Sequence, residues 1–254
     1  MIPKIIHQTW KNTEIPENWK FGVEECKKIH DDYEYKLWTD DMMEDFVKKE
    51  YSDFYETYKS YKYHIQRCDA FRYLVLYKYG GIYIDMDIVC KKKLDNLLKY
   101  DIVFTKSPNV THLFTNAFYM STKNNKFIKY CIDNLPKNAK NRLLFGKHSH
   151  VVYSTGPNFL SNMIKDYKLE NIKNNYVLTR EEYAGNCDVC NISNTNICEG
   201  GYYFTHVVGQ SWNSLDSKLF NDITCIYKNK IMFVFLLLII IIIIYFILKK
   251  FKIF

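Results

Sequence analysis

The sequence predicts an α/β fold, a mostly parallel sheet covered by helices on both faces. Three observations carry that prediction. Short apolar runs alternate with segments of helical periodicity over about 220 residues. The composition, 48% hydrophobic and 17% aromatic with only 9 Gly and 5 Pro among 254 residues, suits a packed body and excludes a disordered or collagen-like chain. No internal repeat and no Pro- or Ser-rich linker divides the chain, and the length fits one large domain or at most two small ones.

At the start of the chain, residues 4–9 (KIIHQT) form a short apolar strand, 17–30 a helix and 35–38 a second strand. Thr39-Asp40-Asp41 then caps the amphipathic segment MMEDFVKKEY. Residues 61–79 read as one long helix stopped by Gly80-Gly81. Its apolar residues occupy more than one face, which predicts burial between layers. GIYIDMDIV comes next as a strand that runs into acids, and DIVFTK and NAFYMS are further strands. KFIKYCIDNL and NFLSNMIKDY are helical, the second opened by Thr155-Gly156-Pro157, and YVLTR and YYFTHVVG close the series as strands.

A different solvent is implied at the end of the chain. Residues 231–248 contain no charge, and 18 residues of helix reach roughly 27 Å, close to the hydrocarbon thickness of a bilayer. The expected organisation is a domain over 1–227 and, over 228–254, a single C-terminal transmembrane helix with a short basic tail. Lys228, Lys230, Lys249, Lys250 and Lys252 flank the apolar run and account for five of the seven surplus positive charges. The remainder leaves no electrostatic footprint for nucleic acid, and the flanking lysines read as lipid-headgroup contacts. No apolar leader precedes the first strand, so the expectation is a single-pass protein of the secretory pathway or another internal membrane, its domain facing the cytosol. Two glycosylation sequons, at Asn109 and Asn191, would permit the opposite orientation. Eight cysteines are spread along the chain; a chain with a full core does not need disulfides, so free thiols are expected. Cys187, Cys190 and Cys198 lack a fourth ligand at zinc-site spacing and read as a cysteine-containing loop.

The chemistry concentrates at Asp85 and Asp87. Separated by one residue at the end of a buried strand, both carboxylates point to one side and can hold Mg²⁺ or Mn²⁺ with positions left for phosphate oxygens. The preceding helix carries two of the four arginines, Arg67 and Arg72. Asp69 and Arg72, three apart, share a helical face: either an internal ion pair that orients the helix, or a pair that also reaches a sugar hydroxyl and a phosphate. In HVVGQSW, His206 offers a neutral imidazole for a metal, and Ser211 and Trp212 offer donors to phosphate oxygens.

At these residues the chain resembles the DXD-containing sugar-transferase family, which includes fungal Golgi α-mannosyltransferases and inositol-phosphoceramide mannosyltransferases. The matching blocks, in the family's order, are IPKIIHQTW, IPENW, YKLWTDDMMEDFV, RCDAFRYLVLYKYGGIYIDMDIV, TGPNFL and HVVGQSW. The resemblance implies a GT-A-like fold and retaining transfer of a hexose, mannose favoured, from GDP-mannose or a UDP-hexose. It implies that Trp10 stacks near the base, that Tyr83 packs on base or ribose, and that Asp69 and Arg72 hold the donor sugar or ribose. It further implies that Asp85, Asp87 and His206 bind the metal, and that Ser211 and Trp212 touch the leaving phosphate. Together with the apolar tail, it points to a glycolipid or other glycan acceptor at a membrane.

Two other readings stay open on the residues alone. IYIDMDIV fits the opening motif of haloacid-dehalogenase-type phosphatases, with Asp85 as nucleophile, although Glu181-Glu182 is the only later acidic doublet. A tail-anchored module that binds a sugar nucleotide without turnover is the other.

Overall fold

The chain first builds β1 (Ile5–Thr9), β2 (Glu34–Trp38) and β3 (Gly81–Ile84), which pair in parallel with β1 in the middle. The computed structural model describes residues 1–108, 113–139, 146–187, 190, 197–207, 209, 214–229, 233–234 and 237–244. After the short β4 (Ile88–Cys90), the strands β5 (Ile102–Thr105), β6 (Phe118–Ser121) and β7 (Asn175–Leu178) complete a six-stranded sheet of order β2-β1-β3-β6-β5-β7. β6 runs antiparallel to both β3 and β5, while β5 and β7 are parallel. Five of the six strands therefore point one way, and the expected mostly parallel sheet is present.

β4 belongs elsewhere. With β8 (Ile197–Cys198) and β9 (Phe204–Val207) it makes a small antiparallel sheet of order β4-β9-β8. The segment GIYIDMDIV, expected as one strand, is thus two strands in two sheets. It breaks at Asp85-Met86-Asp87, where the Ile88 N–H donates to the Asp85 carbonyl at 3.1 Å. Two carboxylates are costly inside a ladder, and the turn keeps them at its edge.

The helices are α1 (Glu17–Ile29), α2 (Asp40–Glu50), α3 (Ser52–Ser60), α4 (His64–Tyr79), α5 (Lys126–Ala139), α6 (Gly146–Ser154), α7 (Pro157–Tyr167), α8 (Arg180–Tyr183) and α9 (Leu215–Lys228). Thr39 caps α2 as expected, its Oγ1 accepting from the Met42 N–H. The predicted 61–79 helix starts three residues later, because the Gln66 side chain accepts from the Tyr63 N–H and fixes the first turn there. Gly80 ends it at φ +69°, where a side chain would also strike the Lys123 backbone. α3 and α6 carry no strong apolar signature, and neither they nor α9 were expected.

α4 is the central helix. Phe71, Tyr73, Leu74, Val75 and Leu76 are all fully buried, so it is enclosed on every side as its pattern implied. Period-two alternation sorts the strands: Tyr83, Phe104 and Tyr119 join the α4 side of the core, while Ile82, Ile84, Val103 and Phe118 join the other.

Two expectations change. Six of the eight cysteines are paired, as Cys26–Cys90, Cys187–Cys198 and Cys190–Cys225, which leaves Cys68 and Cys131 as thiols. Pairing depends on which Cα atoms the fold brings together, not on spacing, and the free-thiol argument for a cytosol-facing domain falls with it. Among the described residues no helix is long and apolar enough to cross a membrane. Residues 237–244 are helical and exposed, and the rest of the expected span lies largely outside the described residues, as do both sequons.

Candidate active site

Three parallel strands end side by side. β1 ends on Thr9 and is followed by Trp10 and Lys11, past β2 comes Asp40, and past β3 comes Asp85. Together with the amino-terminal half of α4 and parts of α6 and α7 they line a cavity of about 540 Å³. The carboxyl edge of a parallel sheet is where such folds collect ligands.

Asp85 and Asp87 both line this cavity. Asp85 is held from behind. The Thr9 hydroxyl lies 2.9 Å from the Tyr83 hydroxyl, which donates to Asp85 Oδ1 at 3.1 Å. Tyr83 is fully buried under the site and does not line the cavity. The expectation that it packs on base or ribose is therefore corrected. On β3 its side chain alternates onto the α4 face, where the Arg72 guanidinium lies 4.7 Å over its ring.

Arg72 is the hub. Its Nη2 lies 3.1 Å from Asp85 Oδ1 and 3.3 Å from Asp69 Oδ1, and its Nη1 donates to the Asn116 carbonyl at 2.7 Å. Both roles foreseen for the Asp69–Arg72 pair coexist: the ion pair is internal, yet both residues face the cavity. Asp69 also accepts from Asn116 Nδ2 at 2.9 Å and from the Thr155 hydroxyl at 3.1 Å. Burial pushes the Asp69 carboxyl up to about 6 against the pull of Arg72.

Charge at the acid pair is not balanced. Burial lowers the affinity of Arg72 for its proton, but Asp85, Tyr83 and Asp69 outweigh this and hold it charged. Asp85 is raised by burial and drawn back by Arg72. Asp87 is pushed up to about 7, first by burial and then by the neighbouring Asp85. A cation beside Asp87 would relieve both causes. A Cβ added at Gly209 would collide with Asp87 Oδ2, so only glycine leaves that carboxylate its space. The acid pair fits a hard divalent ion with oxygen ligands.

His206 lies opposite Ile88 in the small sheet, next to the acid turn. Among the described residues no three His, Cys, Asp or Glu side chains form a metal cluster. On β9 the side chains of Phe204 and His206 share the buried face, and the His206 ring stands edge-on to Tyr183 at 4.7 Å. Burial lowers its pKa to about 4, which keeps the imidazole neutral, and its Nε2 is buried without a partner among the described residues. Trp10 does line the cavity, edge-on to Trp19 at 4.9 Å, and Trp19 lines it too. Ser211 and Trp212 lie outside the described residues.

Part of the lining was not foreseen. Lys62, Tyr63, His64, Cys68 and Lys147 belong to it, with His64 Nε2 3.0 Å from Asp40 Oδ2 and His64 Nδ1 3.4 Å from Cys68 Sγ. Only the i,i+4 spacing of His64 and Cys68 hinted at this cluster. Asn116 and Thr155 were also missed, because an amide before a strand and a hydroxyl before a helix usually do local work. The doublet Glu181-Glu182 belongs to α8, where Glu182 caps the helix and accepts from the Tyr176 hydroxyl at 2.6 Å. It is not part of the cavity, which removes the phosphatase reading.

Comparison with known proteins agrees with this geometry. The family model described as "Glycosyltransferase sugar-binding region containing DXD motif" matches residues 16–104. Inositol phosphoceramide mannosyltransferase 2 of Schizosaccharomyces pombe is 38% identical over 223 residues, covering 85% of this chain and 60% of the relative. Inositol phosphoceramide mannosyltransferase 1 of the same yeast is 36% identical over 238 residues, covering 92% of this chain and 70% of the relative. The chain thus spans only 60% of the length of the first of these relatives. The UDP-bound glycosyltransferase domain of the YGT toxin superposes with a TM-score of 0.53 at 9% identity, over 70% of this chain and 79% of that domain, a likeness of fold. The chain belongs to the family of DXD-containing glycosyltransferases.

Proposed function

We propose that the chain is a metal-dependent, retaining hexosyltransferase that moves a hexose, mannose being the favoured reading, from a nucleotide-sugar donor to a hydroxyl of a lipid-linked or glycan acceptor. The single observation that carries this reading is the under-neutralised acid pair of the cavity, where Arg72 forms its ion pair with Asp85 and only partly offsets the charge at Asp87. Mn²⁺ or Mg²⁺, held by Asp85 and Asp87, would supply positive charge opposite the donor diphosphate. His206 is the candidate third ligand on the strength of its unpartnered Nε2. The relatives' names make an inositol phosphoceramide the first acceptor to test.

The chain's own residues do the rest. Trp10 and Trp19, packed edge to face, give the base an apolar surface in the cavity. Asp69 is held rigid by Arg72, Asn116 and Thr155, and its spare lone pairs accept from a donor-sugar hydroxyl. Ser211 and Trp212 are assigned to the leaving phosphate. Breaking the sugar–phosphate bond puts negative charge on the diphosphate, and Lys11 on the cavity wall meets it electrostatically. No carboxylate is singled out as a nucleophile. Retention is then a consequence of front-face attack: the acceptor oxygen bonds to the anomeric carbon as the phosphate leaves, and the acceptor proton passes to that phosphate. Residues 231–248 act as the membrane anchor, and the three disulfides support a domain on the oxidising side of that membrane.

The test is a turnover screen of the purified full chain against GDP-mannose and the common UDP-sugars, with Mn²⁺ and with chelator. Mn²⁺-dependent consumption of GDP-mannose, lost with chelator, is the expected result. Inertness toward every sugar nucleotide under all divalent ions would leave only the non-catalytic binding module.

A further inference from the structure

Helix α9 turns its apolar side away from the protein. Its buried side chains are Ser217 and Thr224. Its ties to the body are chiefly polar: the His148 N–H donates to Asp216 Oδ2 at 2.7 Å, and Ser217 Oγ lies 3.1 Å from His148 Nδ1. Phe220, stacked on the His148 ring at 5.1 Å, marks the edge of this contact. The outward face carries Leu215, Leu219, Ile223 and Tyr227, each more than half exposed. Spaced by four, they form one stripe along the helix, with Lys218 and Asp222 beside it. A helix in water normally shows the reverse arrangement.

The chain beyond α9 indicates what covers the stripe. Lys228-Asn229-Lys230 leads directly into the uncharged run, of which residues 237–244 are helical and exposed. Two lysines at that junction suit lipid phosphates. A second copy of the chain is a poorer occupant. Fourteen residues of helix are about 21 Å long, and a stripe of that length one helix wide offers about 200 Å², against roughly 800 Å² per partner in a stable interface.

We propose that α9 lies in the headgroup–acyl boundary of a bilayer, with its apolar stripe immersed and its polar face gripping the domain, and so sets the tilt of the catalytic cavity over the membrane. This rests on reading residues 231–248 as the membrane segment. The Cys190–Cys225 disulfide and the Asp216–His148 contacts fasten α9 to α6 and its surroundings. α6 in turn supplies Lys147 and Val151 to the cavity lining that also holds Lys62 and Tyr63. A helix lying flat therefore carries that part of the lining at a fixed height, where the headgroup of a lipid acceptor is found.

Tryptophan quenching by brominated lipid tests this. The full chain is reconstituted in vesicles of phosphatidylcholine, plain or brominated at acyl carbons 6 and 7, with Leu219→Trp, Ile223→Trp, Lys218→Trp or Ile240→Trp. The fluorescence added by Leu219→Trp and Ile223→Trp should fall at least twofold in brominated lipid, and that of Lys218→Trp should not change. Quenching of Ile240→Trp alone overturns the α9 proposal and leaves the anchor standing. No quenching at any position overturns both, whereas protection of the stripe by a second copy without lipid overturns the α9 proposal alone. A second arm uses the double variant Leu219→Asp/Ile223→Asp. It should hydrolyse donor and glycosylate a water-soluble acceptor like the parent, yet lose at least tenfold on a phosphoinositol lipid in vesicles. Equal activity on the vesicle-borne acceptor overturns the proposal. A parent chain without donor turnover refutes the transferase reading and leaves the quenching result unaffected.

Discussion

Two residues of the cavity lend themselves to direct test. Arg72 uses two nitrogens to meet Asp69, Asp85 and the Asn116 carbonyl, a span that one ammonium cannot cover. Arg72→Lys should lose about 3–5 kcal/mol in urea unfolding, as expected when buried carboxylates lose their partner, and should lose turnover with it. Asp87 predicts the opposite sign. Its carboxyl titrates at about 7 in the fold against an ordinary 3.8, so the native state keeps a proton that the unfolded chain has released. Metal-free stability from this group is complete below about pH 4 and disappears as pH rises through 7. Asp87→Asn should therefore raise the metal-free Tm at pH 7.5 but not at pH 4. Mn²⁺ should no longer raise that Tm, and transfer should fall at least 100-fold. A variant with parental turnover would end the metal role. Asp69 with Arg72 was legible from helical spacing and Asp85 with Asp87 from strand spacing, while the contact of Arg72 with Asp85 that joins the two pairs belongs to the fold. Tyr83 was misplaced because strand alternation fixes a face but not what lies on it.

At the level of elements, β1 shows how a buried polar group sets pH behaviour. His7 is fully buried, with Nε2 3.0 Å from the Gly80 carbonyl and Nδ1 accepting from Trp38 Nε1 at 3.1 Å. It thereby ties β1 to the end of β2 and to the turn that stops α4. Burial lowers its pKa to about 4 from 6.5, so unfolding at mildly acid pH lets it take up a proton. Its contribution is full above pH 6.5 and is lost as pH falls to 4, a loss of about 3 kcal/mol. In urea unfolding at pH 4.5 and 7.5, His7→Gln should show a smaller drop than the parent by about that amount; equal slopes would show that His7 is already protonated in the fold. The sequence located nearly every strand because apolar runs of four or five residues survive any context. It missed α3, α6 and α9, whose inward faces include Tyr58, Ser154, Ser217 and Thr224, and it fused β3 to β4 because a tight turn with two acids still looks extended in a linear pattern.

Across the whole molecule, disulfides join distant parts: Cys26–Cys90 clamps α1 to β4 beside the acid turn, and Cys190–Cys225 ties α9 to the body. Peptide mapping without reductant should recover all three links, with Cys131 alkylated only in denaturant. Reduction should cost about 2–5 kcal/mol per bond lost. Recovery of eight free thiols would return the domain to a reducing compartment. The sequence by itself determined the α/β class, the parallel frame, the acid pair and the arginine helix before it, because each is written in local periodicity or in spacing shorter than one helix. Only the tertiary structure decided which cysteines pair, that Tyr83 supports the site from beneath, that Asn116 and Thr155 steady Asp69, and that α9 faces outward with its apolar side. Those facts depend on contacts between residues far apart in the chain, and the physics of local pattern does not reach that far.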